Sequence, residues 1–292
     1  MTVALNVAVI LWGAWVRATG SGAGCGSHWP LCNGAVVPPS PGAATVIEFI
    51  HRVSSGLALV AVLVLLLMAW HIYPPRHIVR WMGAAAGALI LVEAAIGAGL
   101  VMFGLVAGNT STSRAVIGAL HLANTYLLLA ALTLAAVIGG QPGAPRWEGT
   151  RRLVAPGAIS LGALMLVGMT GAVTALGDTL FRPASLAAGF AQEFASASHP
   201  LVRMRVIHPA VAILAGSATA YFGFALSERS VAAPVRRMTV LIWGLLVVQL
   251  LAGAVNVALL APLWLQIIHL LLSDLIWVLL IALSGRALTS AQ

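Results

Sequence analysis

Thr45-Val46-Ile47-Glu48-Phe49-Ile50-His51-Arg52 opens a run that continues as Leu57-Ala58-Leu59-Val60-Ala61-Val62-Leu63-Val64-Leu65-Leu66-Leu67-Met68-Ala69-Trp70 and ends at His71. Beyond Arg52 the run carries no charge. As a helix, residues 45–71 reach about 40 Å, enough to cross a hydrocarbon core of roughly 30 Å. Seven more apolar segments, at 1–17, 78–103, 114–138, 153–176, 203–226, 236–259 and 263–285, read the same way. The expectation is an all-α integral membrane protein with eight transmembrane helices. Composition agrees: 61% of the residues are hydrophobic and 8% are charged, too few charges to cover a soluble domain of this length. The first segment has neither a positive leader nor a clear small-residue cleavage site, so it is expected to stay as a span.

The net charge of +8 comes entirely from arginine. A basic excess in such a chain belongs to its cytoplasmic loops, which removes nucleic acid as a partner and leaves the lipid bilayer. Arg76, Arg80, Arg146, Arg151, Arg152, Arg229, Arg236, Arg237 and Arg286 fall on one side of the expected topology. Arg17, Arg52, Arg114, Arg182, Arg203 and Arg205 fall on the other. The richer side is placed in the cytoplasm, with both termini, in a multi-pass protein of the cell (plasma) membrane.

The chain also repeats itself. Val16-Arg17-Ala18-Thr19-Gly20-Ser21 aligns with Val173-Thr174-Ala175-Leu176-Gly177-Asp178 at an offset of 157, which also carries His51 onto His208. Glu93-Ala94-Ala95-Ile96-Gly97 aligns with Gln249-Leu250-Leu251-Ala252-Gly253 at 156, and His121 and His269 take equivalent places. Four helices per half give both halves one orientation, a parallel repeat. The expected organisation is two parallel-repeat four-helix bundles, 1–138 and 153–292, joined by a Gly- and Pro-rich cytoplasmic linker at 139–152. Outer loops occupy 18–44, which holds both cysteines, and 177–202.

Four histidines, His51, His121, His208 and His269, lie inside spans, each within roughly 12 Å of the outer helix end. Ionisable groups at such depth are functional candidates. Two level imidazoles in each half suit the clamp that grips a heme iron from both faces. Zinc or copper would call for three or four converging ligands. His28, His71, His77 and His199 fall in loops or at span ends. Glu48, three residues before His51 on the same helix face, could orient the imidazole, move a proton or stabilise positive charge; it could equally be an interfacial residue favoured by the helix dipole. Glu93 lies deeper, with no evident partner in sequence. Arg52, Arg203 and Arg205 sit beside the histidines, where guanidinium forks could hold heme propionates or snorkel to headgroups. Cys25 and Cys32 face the oxidising side, so a disulfide is their natural form, as a loop staple or a redox pair.

The run Val16-Arg17-Ala18-Thr19-Gly20-Ser21-Gly22-Ala23-Gly24-Cys25, followed by Trp29-Pro30-Leu31-Cys32, closely resembles the first outer loop of the heme A synthase family. Glu48-Phe49-Ile50-His51-Arg52 and Ala119-Leu120-His121 resemble its second- and fourth-helix signatures. The resemblance covers essentially the whole chain. It implies an oxidoreductase that converts the C8 methyl of heme O to a formyl group, giving heme A for terminal oxidases. It implies substrate heme O, and product heme A, between His51 and His121, with Glu48 as the catalytic carboxylate. It places heme b between His208 and His269, and a disulfide from Cys25 to Cys32 near the substrate. Heme O synthase (protoheme farnesyltransferase), a terminal oxidase and a membrane electron donor such as a quinol are the implied partners. Two features depart from the family. Residues 177–202 lack the second cysteine pair of many bacterial members, and His208-Pro209 replaces a His-Arg pair, a loss that Arg203 or Arg205 could make good.

Two other classes compete. A diheme b-type membrane electron carrier would use the same histidine clamps but would need neither Glu48 nor the cysteine loop. A transporter built from parallel repeats would more naturally show broken helices or midplane charges.

Overall fold

A computed structural model of the chain describes residues 1–140, 151–228 and 233–289. Most of the expected linker, Arg146 included, lies outside the described residues, as does Arg229. The described secondary structure is helical: α1 (Thr2–Ala18), α2 (Ala43–Ile72), α3 (Ile78–Met102), α4 (Thr112–Gly139), α5 (Arg151–Leu180), α6 (Leu186–Phe194), α7 (Pro200–Arg203), α8 (Ile207–Ser227), α9 (Ala233–Ala258) and α10 (Leu263–Thr289). Among the described residues, seven stretches are long and apolar enough to cross a membrane: α2, α3, α4, α5, the α7–α8 stretch Pro200–Ser227, α9 and α10. At 17 residues, α1 is apolar but shorter. The chain is an all-α, multi-pass membrane protein. Large apolar side chains such as Leu57, Val60, Leu67, Leu214 and Leu251 stay exposed along the helices, as a hydrocarbon solvent allows and water would not.

The sixth segment departs from its expected form. It begins with the single turn of α7, breaks at Met204–Val206 and restarts at Ile207. His199 caps α7 by accepting the Leu201 N–H, with Pro200 at the first helical position, where a missing N–H costs nothing. The segment 177–202, expected as a loop, is also more than that. It contains the last turn of α5 and all of α6, whose start is fixed by the Ser185 hydroxyl accepting from Ala188 N–H.

Helices α1 to α4 pack in chain order, and α1 closes against α4. Helix α5 packs on α8, α8 on α9, α9 on α10, and α10 returns to α5. The two groups meet where α4 lies against α5 and α10, which makes α4 the most enclosed span. There Tyr126 stacks on Trp277 with ring centroids 4.7 Å apart, its hydroxyl is 2.7 Å from Ser273 Oγ, and Trp277 Nε1 donates to the Tyr126 carbonyl at 2.8 Å. Arg17 ties one end of this seam. Its Nη1 donates to the Ala175 carbonyl at 2.7 Å and to Thr179 Oγ1 at 2.9 Å, and Nη2 donates to Gln266 Oε1 at 3.1 Å.

Candidate functional site

All four intramembrane histidines fall within about the first three turns of α2, α4, α8 and α10. Each faces a glycine on an adjacent helix. A Cβ built at Gly13 would stand 2.9 Å from His51 Cε1, and one at Gly171 would stand 3.0 Å from His208 Cε1. The same construction gives 3.2 Å from Gly253 to His269 and 3.9 Å from Gly97 to His121. In three of the four places a methyl group would crowd the imidazole, so the missing side chain lets the neighbouring backbone serve as a wall behind the ring.

One pair of rings is in contact. His208 and His269 have centroids 6.5 Å apart and planes at 80°. Two imidazoles that bind one metal atom through facing nitrogens, at about 2 Å each, place their centroids about 6 Å apart. His51 and His121 lie close enough to interact electrostatically. The polar edges differ in their satisfaction. Thr170 Oγ1 is 3.1 Å from His208 Nδ1, and Gln249 Nε2 is 3.3 Å from His269 Nε2. Nδ1 of His51, His121 and His269 is buried without a hydrogen bond. His121 Nδ1 does stand 3.4 Å from Glu93 Oε1, within ion-pair reach although short of hydrogen-bond alignment. Among the described residues, no group of three or more His, Cys, Asp and Glu could hold a bare ion. The histidines are available as pairs, a donor set that fits an iron already ringed by a macrocycle.

The loop before α2 is docked by charge. Cys25 and Cys32 form a disulfide. Glu48 is 3% exposed, and its Oε2 accepts the Cys25 N–H at 2.8 Å. Its Oε1 accepts from both Nε and Nη2 of Arg52, whose Nη1 donates to the carbonyls of His28 at 2.6 Å and Leu31 at 2.7 Å. A Cβ at Gly24 would collide with the backbone of Ala44, so only glycine lets the loop lie this close. Among the described residues, no hydrogen bond joins Glu48 to His51. The two share a helix face, but the carboxylate is spent on the loop. Reading residues three apart finds the face and misses the loop.

Arg205 is similarly committed. Its Nε pairs with Asp178 Oδ1 at 2.7 Å, and its Nη2 donates to the carbonyls of Gly177 and Phe181 at 3.0 and 2.8 Å, closing the C-terminal end of α5. Arg203, two residues away, is exposed. Burial raises the nearby Glu193 carboxyl above its ordinary range, against the pull of Arg205. The residue that sequence left without a partner, Glu93, meets α4. It accepts from Asn124 Nδ2 at 2.6 Å and from the Thr125 hydroxyl, beside His121. A 28-residue separation between Glu93 and His121 carries no local signal, because only helix pairing sets which residues meet.

These observations define a class: a multi-pass helical membrane protein with paired intramembrane imidazoles set near one end of its helices. The comparisons make it specific. The family model described as cytochrome oxidase assembly protein (COX15-CtaA) matches residues 1–281, and the chain belongs to that family. It is 46% identical over 287 residues to a protein of Thermus thermophilus named protoheme IX farnesyltransferase, an alignment covering 97% of this chain and 46% of that relative. It is 38% identical over 135 residues to the heme A synthase of Alkalihalophilus pseudofirmus, covering 46% of this chain and 43% of the relative. Against the heme A synthase of Halalkalibacterium halodurans the identity is 36% over 139 residues, covering 48% and 44%. The chain thus spans about half the length of the curated relatives it matches.

Proposed function

We propose that the chain is a heme A synthase, an oxidoreductase that takes the C8 methyl of heme O to a formyl group and yields heme A for a terminal oxidase. The observation that carries this is the 6.5 Å separation of His208 and His269, with His51 and His121, at the matching sequence positions of the first half, within electrostatic reach of each other. In this reading the protein is a duplicated unit of eight spans, with α1 as the first. Both halves share one orientation: 1–138 receives the heme substrate, and 153–292 holds heme b. The arginine-rich connections face the cytoplasm across the cell membrane.

Bound heme supplies the iron chemistry and electron exchange that side chains lack. The residues of the chain do the rest. His51 and His121 would hold the substrate heme, and the backbone at Gly13 sets the depth of the His51 ring. Glu48 stands one turn from His51 with both oxygens in use, so it places a fixed negative charge at the edge of the site and keeps the Cys25–Cys32 loop down as a cover against water. Arg52 completes that cover, and Arg203, exposed at the end of α7, is available to meet a propionate. The three-way engagement of Arg205 makes it a fastening for α5. Heme O synthase would supply the substrate, an oxidase would take the product, and a membrane donor of the quinol class would exchange electrons with the second half.

The farnesyltransferase name of the Thermus relative offers a different reaction. Less than half of that relative is covered, and expelling diphosphate calls for clustered carboxylates around a divalent cation. Here Glu48, Asp178 and Glu93 are engaged by Arg52, Arg205 and the Asn124–Thr125 pair, respectively. The imidazole pairs favour oxidation over prenyl transfer. Coexpression with a heme O synthase and chromatography of the extracted hemes tests the proposal. Heme A with its hydroxylated precursor is expected. Folded protein that yields heme b alone would make the chain an electron carrier and overturn it.

A further inference from the structure

Glu93 has no part in the function proposed above, yet its surroundings are built with care. It sits on α3, two-thirds of the way along the helix, and meets three α4 side chains at once. Asn124 Nδ2 donates to Oε2 at 2.6 Å and also reaches the Leu89 carbonyl at 3.0 Å, which anchors the amide between two helices. The Thr125 hydroxyl donates to Oε1, and the same oxygen lies 3.4 Å from His121 Nδ1. Asn124 and Thr125 are buried, so this end of the network is shielded from water. A carboxylate so engaged can only accept from the ring nitrogen that it faces. His121 Nδ1 is buried without a hydrogen bond, and Glu93 Oε1 is the acceptor that it faces.

The second half differs at the matching position. Gln249, which aligns with Glu93, presents an amide nitrogen 3.3 Å from His269 Nε2. An amide is neutral and donates at that atom; a carboxylate is charged and accepts. The two imidazoles, equivalent in sequence, are approached at different nitrogens, Nδ1 of His121 by a carboxylate and Nε2 of His269 by an amide.

We propose that Glu93 is a positioning residue for the first-half site. It holds His121 in the Nδ1–H tautomer, leaves Nε2 free as the metal-binding atom, and makes that nitrogen a stronger donor than its counterpart His269. The inference rests on the heme-binding reading of the histidines. Partners in the outer shell of a ligating imidazole raise its basicity, and their loss typically weakens metal binding about 10- to 100-fold. A more strongly donating ligand favours the oxidised metal, so the first-half heme should have its midpoint potential drawn downward by Glu93.

The test is a spectroelectrochemical titration of the purified, heme-loaded full chain, with His121→Ala used to identify the wave that belongs to the first half. Glu93→Gln should move that wave to more positive potential, speed heme loss from that half about 10- to 100-fold, and leave the second-half wave in place. Thr125→Val, which keeps the carboxylate but removes the donor sharing its Oε1, should leave that oxygen a stronger acceptor and move the wave the opposite way, and it decides the matter if Glu93→Gln cannot hold heme. A first-half wave unmoved in both Glu93→Gln and Thr125→Val, or both waves moving together, would overturn the inference while leaving heme binding intact. A wild-type protein with no His121-dependent wave would instead defeat the heme reading, and this inference with it.

Discussion

The four glycines behind the histidines set up a graded experiment. Replacing Gly13, Gly171, Gly253 and Gly97 singly by alanine adds the same methyl group at hypothetical distances of 2.9, 3.0, 3.2 and 3.9 Å from the facing imidazole. Ordinary carbon–carbon contact lies near 3.5–4.0 Å, so at Gly13 and Gly171 the ring must retreat by roughly 0.5 Å or more, at Gly253 by less, and at Gly97 not at all. Overpacking of this kind costs about 1–3 kcal/mol, and each 1.4 kcal/mol is about tenfold in affinity. Heme should therefore leave the Gly13→Ala and Gly171→Ala proteins about 10- to 100-fold faster, each from its own half, with a smaller effect for Gly253→Ala. Gly97→Ala should be neutral or slightly stabilising, since alanine is the better helix former by up to about 1 kcal/mol. Transfer of heme to an excess of an apo-globin, followed by absorbance, gives the rates. Equal loss from all four variants, or loss from Gly97→Ala matching that from Gly13→Ala, would refute the claim that these glycines set the depth of the rings.

Three further outcomes are expected. Glu48→Ala strands Arg52 and the Cys25 N–H and should cost on the order of 3–5 kcal/mol, seen as rapid proteolysis within the 26–42 segment. Glu48→Gln keeps an acceptor for Cys25 and should hold the loop while heme A formation falls; a loop as labile as in Glu48→Ala would show the charge itself to be the fastener. Arg17→Ala removes three hydrogen bonds across the seam between helix groups and should lower stability by on the order of 2–3 kcal/mol, read by thermal unfolding in detergent, with little recovery in Arg17→Lys because an ammonium lacks the planar fork. Tyr126→Phe loses only the Ser273 contact and should cost about 1 kcal/mol, whereas Trp277→Ala, which also empties the stack, should cost about 3–5 kcal/mol.

Hydropathy alone located the long spans to within a few residues at most ends, because a membrane-crossing helix satisfies its own backbone and needs only apolar length. The exceptions have local causes: α7 and the break at Met204–Val206 replace the expected start of the sixth segment, and α6 arises within a stretch read as loop. The four histidines were also legible, since an imidazole deep in an apolar run stands out residue by residue. What sequence could not supply was the identity of partners on other helices. Glu48 read as a companion of His51 through their spacing on one helix, yet its hydrogen bonds go to Cys25, 23 residues before it, and to Arg52. Glu93 has no partner within reach along its own helix and finds its partners on α4, and Arg205, close to His208 in sequence, closes the end of α5. Amino-acid order fixes which groups sit at which depth and on which stripe of their own helix. Only the crossing of one helix against another decides whether a charge is left free for a ligand or consumed in holding the protein together.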